Sequence, residues 1–283
     1  MRPQRIAVIT DAVSPHFYFP TWHAYYKRQF GAQALHVLTW RGLAPSFADF
    51  ELASLAEIPH AFDDHIRRLA VMQAVATLLE TNDIVIRADP DEILVADPAR
   101  HRDLASYVRN VDASVITARG FNVMQEKDDP PLDKTRRILY DQRRWLQPVG
   151  QMNKPAITRI PLDWSTGFHF CDHPPRLDDL YLFHLKYADI APLTAFGELV
   201  RNQAPNNAFA ATYFDFNQKR MLNDRTVAFS HPREKGFDVL NRRAFNADFL
   251  EGIYRDESFG HYVRPHISEN VIVRLPAHFA GII

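Results

Sequence analysis

At 283 residues, with 46% hydrophobic and 24% charged side chains, the chain has the length and balance of one large globular domain or a domain with an appendage. A formal net charge of −1 argues against a general binder of nucleic acid or of membrane surfaces. The single cysteine, Cys171, excludes an intrachain disulfide and fits a reducing compartment. No apolar run approaches the roughly 20 residues of a membrane helix, and Ile6 to Thr10 is too short for a signal-peptide core. The expectation is a cytoplasmic protein, with peripheral attachment at the inner face of the membrane left open.

Arg5 to Thr10 (RIAVIT) predicts a strand that ends at Asp11. Pro20 to Phe30 reads as a helix, with Trp22, Tyr25, Tyr26 and Phe30 on one stripe and Gly31 as its stop. Ala34 to Trp40 is the second strand, so the chain opens as a βαβ unit with parallel pairing. Arg41 to Phe62 is expected to be loop and short helix. Asp63 or Asp64 caps a helix that runs to Leu79. After the segment around Asp89, Asp97 and Pro98 predict a helix to about Val108, followed by a strand over Ala113 to Ala118. Gln125 to Asp133 is a polar loop, and Arg136, Arg137, Arg143 and Arg144 fall in a helix-like stretch. Ala156 to Ile160 and Leu180 to Leu185 predict two more strands. Beyond Pro192, helices are expected over Leu193 to Asn202 and Asn207 to Leu222, and the only later apolar run is Val271 to Val273.

The chemistry concentrates in DIVIRADPDEILVADP, Asp83 to Pro98. Ile84, Val85 and Ile86 suit a strand buried on both faces, and the run breaks abruptly into Asp89, Pro90, Asp91 and Glu92. Acid therefore gathers where a buried strand surfaces, which in an open α/β sheet is where ligands bind. Carboxylates so close repel one another unless a cation lies among them, and hard oxygen donors suit Mg²⁺ or Mn²⁺. The plain alternative is a solvated Asp-Pro turn. His184, after Leu180 to Phe183, is expected to emerge at a strand end beside the acids, while His169 and His173 are less constrained. Cys171 has no activating partners in sequence and reads as inert.

DIVIRADPDEIL resembles the strand and D-x-D-E element of GT-A glycosyltransferases, in particular family-2-like and family-92-like bacterial enzymes. TWHAYYKRQFGAQALHVLTW is similar to their opening segment through Trp22, Tyr26 and Gly31, although Thr21 stands where glutamate is usual. NKPAITR, STGFHF and LYLFHLKYAD are similar to later stretches of the same enzymes, so the resemblance runs from about residue 5 to 190. It implies a GT-A-like, Rossmann-related α/β core with a mostly parallel sheet over residues 1–190. A mainly helical extension over 191–283 would pack on that core.

The resemblance also implies a Mn²⁺ or Mg²⁺ ion held by Asp89 and Asp91, with His184 as a third ligand, bridging the diphosphate of a nucleotide-sugar donor. Lys154 and Lys186 would meet the diphosphate, and Asp11 the nucleobase and ribose. Glu92 would orient a ligand or touch the acceptor, a saccharide or lipid-linked saccharide. An inverting reaction needs a base, for which Asp172 is the first candidate, with Asp163 and His169 in reserve. The function implied is hexosyl transfer in surface polysaccharide synthesis. Two rivals stand beside it. One is a nucleotidyltransferase, although no glycine-rich loop follows the first strand. The other is a non-catalytic carbohydrate-binding or scaffold protein of the same fold. A haloacid-dehalogenase-type phosphohydrolase fits less well, because its nucleophile belongs near the first strand.

Overall fold

The structure, a computed structural model, describes residues 3–59, 63–126, 128–203, 233–234, 249–264 and 271–283. Its first half alternates β1 (Ile6–Asp11), α1 (Phe19–Phe30), β2 (Leu35–Trp40), β3 (Ser54–Ile58), α2 (Asp64–Thr81) and β4 (Ile84–Arg87). These four strands lie in the order β3-β2-β1-β4 and all run parallel. Every residue of β1 and β4 is buried, as apolar runs covered on both faces demand. The strand period of two divides them between two cores. Ile6, Val8, Ile84 and Ile86 join Phe19, Trp22, Tyr25 and Tyr26 of α1, whereas Ala7, Ile9 and Val85 join Val71 and Val75 of α2. The ends of both helices are chemically marked. Gly31 takes φ 85° after α1, and the Asp63 carboxylate accepts the backbone N–H groups of His65 and Ile66 at the start of α2.

The chain continues through β5 (Glu92–Ala96), α3 (Leu104–Asn110), β6 (Val115–Met124), β7 (Trp145–Pro148), β8 (Pro155–Thr158), β9 (Leu177–His184) and α4 (Ile190–Gln203). Among the described residues four short strands follow: β10 (Arg233–Glu234), β11 (Tyr254–Asp256), β12 (His261–Val263) and β13 (Ile272–Arg274). β8 extends the parallel block by pairing antiparallel with both β4 and β6. β9 runs parallel to β6 and antiparallel to β5, and β13 pairs with β7. The result is the expected α/β architecture, a large central sheet flanked by helices. α4 covers the first helix expected in the C-terminal part, and the second, Asn207 to Leu222, lies outside the described residues. β13 enters the central sheet itself, where a mainly helical extension was expected.

Local expectations are corrected in three places. Asp97 caps a turn and not a helix: its side chain accepts the Ala99 N–H, and its carbonyl accepts those of Arg100 and His101. The helix starts later because Asp103 and Ser106 form a reciprocal capping box. The arginine-rich stretch is not helical, with Tyr140 at φ 73°. Arg143 is fully buried there, donating to the carbonyls of Ala188, Gln142 and Pro130. Finally, β3 occupies part of the expected loop between Arg41 and Phe62. Three of its five residues are exposed, so backbone pairing with β2, without apolar alternation, makes it a strand.

Candidate functional site

The chain passes from β1 to β2 and β3 on one side, then returns to β4 on the other, which creates a topological switch point between β1 and β4. In that pair Ile9 lies opposite Arg87. Asp11 and Asp89 each follow two residues later, so both carboxylates arrive at the same level of the sheet's C-terminal edge.

Three cations of the protein's own fill the space between them. Arg67, from α2, bonds Asp11 through Nε and also lies 3.1 Å from it and 2.5 Å from Asp89 through Nη2. Arg87 Nη2 reaches Asp11 Oδ1 at 3.0 Å and also bonds Asp89. Lys154, at the mouth of β8, sits 2.9 Å from Asp89 Oδ2 and 2.6 Å from Glu92 Oε1. Glu92 Oε2 accepts the backbone N–H of Asp89 at 3.0 Å, which fixes the turn. Asp11, Asp89 and Glu92 are thus matched, three for three, by Arg67, Arg87 and Lys154. Phe168 roofs this cluster, its ring centre 3.6 Å from the Arg87 guanidinium and 5.0 Å from that of Arg67. Gly167 (φ 72°) allows the tight loop that brings Phe168 there.

A second pair adjoins the first. Asp91 Oδ2 lies 3.3 Å from His184 Nε2, while His184 Nδ1 lies 2.8 Å from Asn122 Oδ1. Backbone pairing creates this contact: Leu185 N–H donates to the Asp91 carbonyl, and His184 stands opposite Glu92 in β5 and Asn122 in β6. Tyr25 and Tyr26 of α1 secure β5 from behind, with Tyr25 Oη donating to the Leu94 carbonyl and the Leu94 N–H donating to Tyr26 Oη.

Burial works against the charge of Asp89, but Arg87, Lys154 and Arg67 outweigh it and hold its carboxyl well below the usual range. Burial likewise opposes ionisation of Asp91, and the neighbouring His184 turns the balance downward. Glu92 goes the other way, because its burial exceeds what Lys154 returns. Burial and Lys154 together push the His169 ring down to about 3, with Nδ1 facing the Gln151 carbonyl at 2.7 Å. Burial drives the Cys171 thiol up to about 12, which agrees with an inert role.

The sequence candidates therefore separate. Asp11, Asp89, Glu92 and Lys154 are brought together in one buried cluster, and Asp91 and His184 in the pair beside it. Lys186 lies near enough to favour the charged form of Asp91. Asp172 is employed by its own loop, where Oδ1 accepts the Asp163 N–H at 3.0 Å and faces His173 Nδ1 at 3.2 Å. Asp163 itself pairs with Arg68 and His261. Arg67, Arg87, Asn122 and Phe168 complete the site without having been singled out from sequence. A charged residue closing the apolar run Ile84–Arg87 is the one signal that pointed to any of them.

The cation anticipated among the acids is thus, at Asp89, supplied by guanidinium and ammonium groups. An ion at Asp89 would have to displace Lys154 or an arginine. Among the described residues no three His, Cys, Asp or Glu side chains converge as a ready-made metal cage. Asp91 and His184 do present two donor atoms at a separation suited to adjacent positions around one ion, and Mg²⁺-type ions often take only one or two protein ligands plus phosphate oxygens.

No protein-family model matches the chain, and neither does any curated protein. Among solved structures, mannose-1-phosphate geranyltransferase from Thermus thermophilus aligns over 96% of this chain and 74% of its own, at 11% identity and a TM-score of 0.32. No helix among the described residues is long and apolar enough to cross a membrane.

Proposed function

We propose that the switch point between β1 and β4 binds a nucleotide-sugar and that the protein transfers the sugar to a saccharide or lipid-linked saccharide acceptor. The observation that carries this reading is the charged cluster at the switch point, which sets buried arginine and lysine donors where an open α/β sheet takes its ligand. Arg87 supports it further: Nε and Nη1 are buried with no hydrogen-bond partner among the described residues, and a diphosphate oxygen would satisfy them.

In this reading Asp91 and His184 hold a divalent ion. When bound, that ion would neutralise charge gathering on the departing diphosphate. Lys154 and Arg67 steer the phosphates, and Asp89 keeps those cations in place from beneath. Glu92, nearly inaccessible, positions Lys154 and does not touch the acceptor. Phe168 keeps water off the guanidinium pair and so strengthens its hold on an anion.

The first experiment is a thermal titration with Mn²⁺ and UDP or GDP, followed by nucleotide release from a panel of nucleotide-sugars. Ligand at 100-fold over its Kd stabilises by about 2.7 kcal/mol, so a rise of several degrees that requires metal and nucleotide together is expected. Asp91→Ala should abolish it and leave the unliganded melting curve nearly unchanged. Absence of any shift with every nucleoside diphosphate tried would favour a scaffold or carbohydrate-binding protein instead.

A further inference from the structure

The residue that decides whether Asp91 and His184 can share an ion lies on the neighbouring strand. Asn122 stands directly opposite His184 in the parallel β6–β9 ladder and opposite Gln147 in the antiparallel β6–β7 ladder. Directly paired residues project from the same face of a sheet, so Glu92, His184, Asn122 and Gln147 form one row across four strands. Within that row the Asn122 amide nitrogen points to Gln147 Oε1, at 3.5 Å, and its oxygen points to His184 Nδ1, at 2.8 Å.

An amide oxygen only accepts. His184 must therefore carry a proton on Nδ1, and Nε2 is left to face Asp91. In the neutral ring that Nε2 presents a lone pair toward a carboxylate oxygen 3.3 Å away. Protonated at both nitrogens the ring donates Nε2–H to Asp91; with Nδ1–H alone the two acceptors repel unless a cation lies between them, so an arriving ion takes the place of that one proton. In the other neutral form, protonated on Nε2 alone, Nε2–H would simply donate to Asp91, and the pair would be closed to any ion.

Charge counting points the same way. The adjacent cluster is already balanced by Arg67, Arg87 and Lys154, so a diphosphate entering it alone would bring two or more uncompensated negative charges into a poorly solvated place. Lys186 lies near Asp91 but carries a single charge, and the Asp91–His184 gap offers a place for the rest of the compensating charge.

We propose that Asn122 is a positioning residue that fixes the His184 tautomer and thereby makes Asp91 and His184 a clamp for a divalent cation arriving with the diphosphate. The inference rests on the reading that this site takes a metal–nucleotide pair, and it adds the residue on which the metal half depends. Metal-ligating histidines ordinarily hand their second N–H to such a partner, whose loss costs roughly 10–100-fold in metal affinity.

The test compares the wild type with Asn122→Leu and Asn122→Asp, each checked for folding by circular dichroism. Mn²⁺ binding is measured by the loss of free-ion paramagnetic resonance signal, with Mn²⁺ alone and with UDP or GDP added. The imidazole nitrogens of His184 are read by ¹⁵N NMR without metal, assigned against His184→Gln. The expectation is a proton on Nδ1 in the wild type and in Asn122→Asp, which remains an acceptor and keeps or tightens Mn²⁺ binding. In Asn122→Leu the proton moves to Nε2 and Mn²⁺ affinity falls roughly 10–100-fold.

Equal Mn²⁺ affinity in the wild type and Asn122→Leu would overturn the inference while leaving the proposed function standing. So would an Asn122→Asp variant as impaired as Asn122→Leu. A wild-type His184 bare at Nδ1 overturns it without recourse to any variant. Failure of the wild type to bind Mn²⁺ with either nucleotide overturns both the inference and the functional reading.

Discussion

Lys154→Met tests the balance of the buried cluster most directly. Lys154 is 5% exposed and is the ion-pair partner of both Asp89 and Glu92. Methionine keeps much of the volume and removes the charge. Breaking one partner from a buried pair costs about 3–5 kcal/mol, because the remaining charge is left uncompensated. Asp89 retains Arg67 and Arg87 here, so the loss falls mainly on Glu92, whose remaining bond is to the Asp89 N–H. Glu92 can also escape by taking up a proton, since burial already raises its carboxyl. Together these place the expected loss near the lower end, about 3 kcal/mol at pH 8, or roughly 6 °C in Tm for a domain of this size.

The pH dependence has a definite sign. In the variant the folded-state carboxyl of Glu92 lies still further above its unfolded value. The folded state then binds the extra proton, so the deficit is largest at high pH and shrinks as pH falls. Adding Glu92→Gln to Lys154→Met should recover at least half the loss. Urea denaturation followed by circular dichroism at pH 8 and pH 6 measures all of this. A single variant within about 1 kcal/mol of wild type at pH 8 would put Lys154 outside the roughly 3–5 kcal/mol range of a buried pair and refute the reasoning; a double variant no better than the single would refute Glu92 as the group that bears the loss.

Gly120→Ala should destabilise by the upper part of the roughly 1–3 kcal/mol typical of overpacking. A Cβ there would overlap the Met152 backbone carbonyl, which cannot rotate away. The same change should weaken nucleotide-dependent stabilisation, because the Gly120 N–H holds Asn153 at 2.7 Å, next to Lys154. His169 is kept neutral in the fold while the unfolded chain takes up its proton near pH 6.5. Its contribution is therefore full above pH 6.5 and lost as pH falls toward about 3. His169→Gln should flatten the stability profile by up to about 2 kcal/mol between pH 6.5 and 5, an upper figure for a partly exposed ring. Denaturant curves at the two pH values decide it, and an unchanged slope would contradict the burial of the neutral ring.

The parts of the fold that could be read from sequence are those where one periodicity dominates. Ile84 to Ile86 and Ile6 to Ile9 are apolar without interruption, and such runs are strands covered on both faces. The α1 stripe of Trp22, Tyr25 and Tyr26 has a helical period and lands in the core. From those elements the convergence of Asp11, Asp89, Asp91 and His184 follows, since each stands at or just beyond a strand end. Arg67 was hidden because an arginine beside Arg68 on a helix looks like a solvated face, and only the turn of α2 against β1 distinguishes the two. Asn122 was hidden because β6 continues past Ala118 through Arg119 and Gly120, residues that read as the end of a strand but are fully part of it. There tertiary pairing with β9 overrides local preference. The arginine-rich stretch misled for a related reason: besides its neighbour Gln142, Arg143 donates to the carbonyls of Pro130 and Ala188, remote in sequence, a pattern with no local signature.

The pairing of β13 with β7 bears on how the protein is made. β7 ends at Pro148, yet its outer neighbour is Ile272–Arg274, more than 120 residues later. A nascent chain can build the β1–β4 block early, but that edge of the sheet stays open until β13 clears the ribosome. Translation stalled before that point would leave an unpaired edge exposed, with the aggregation hazard such edges carry.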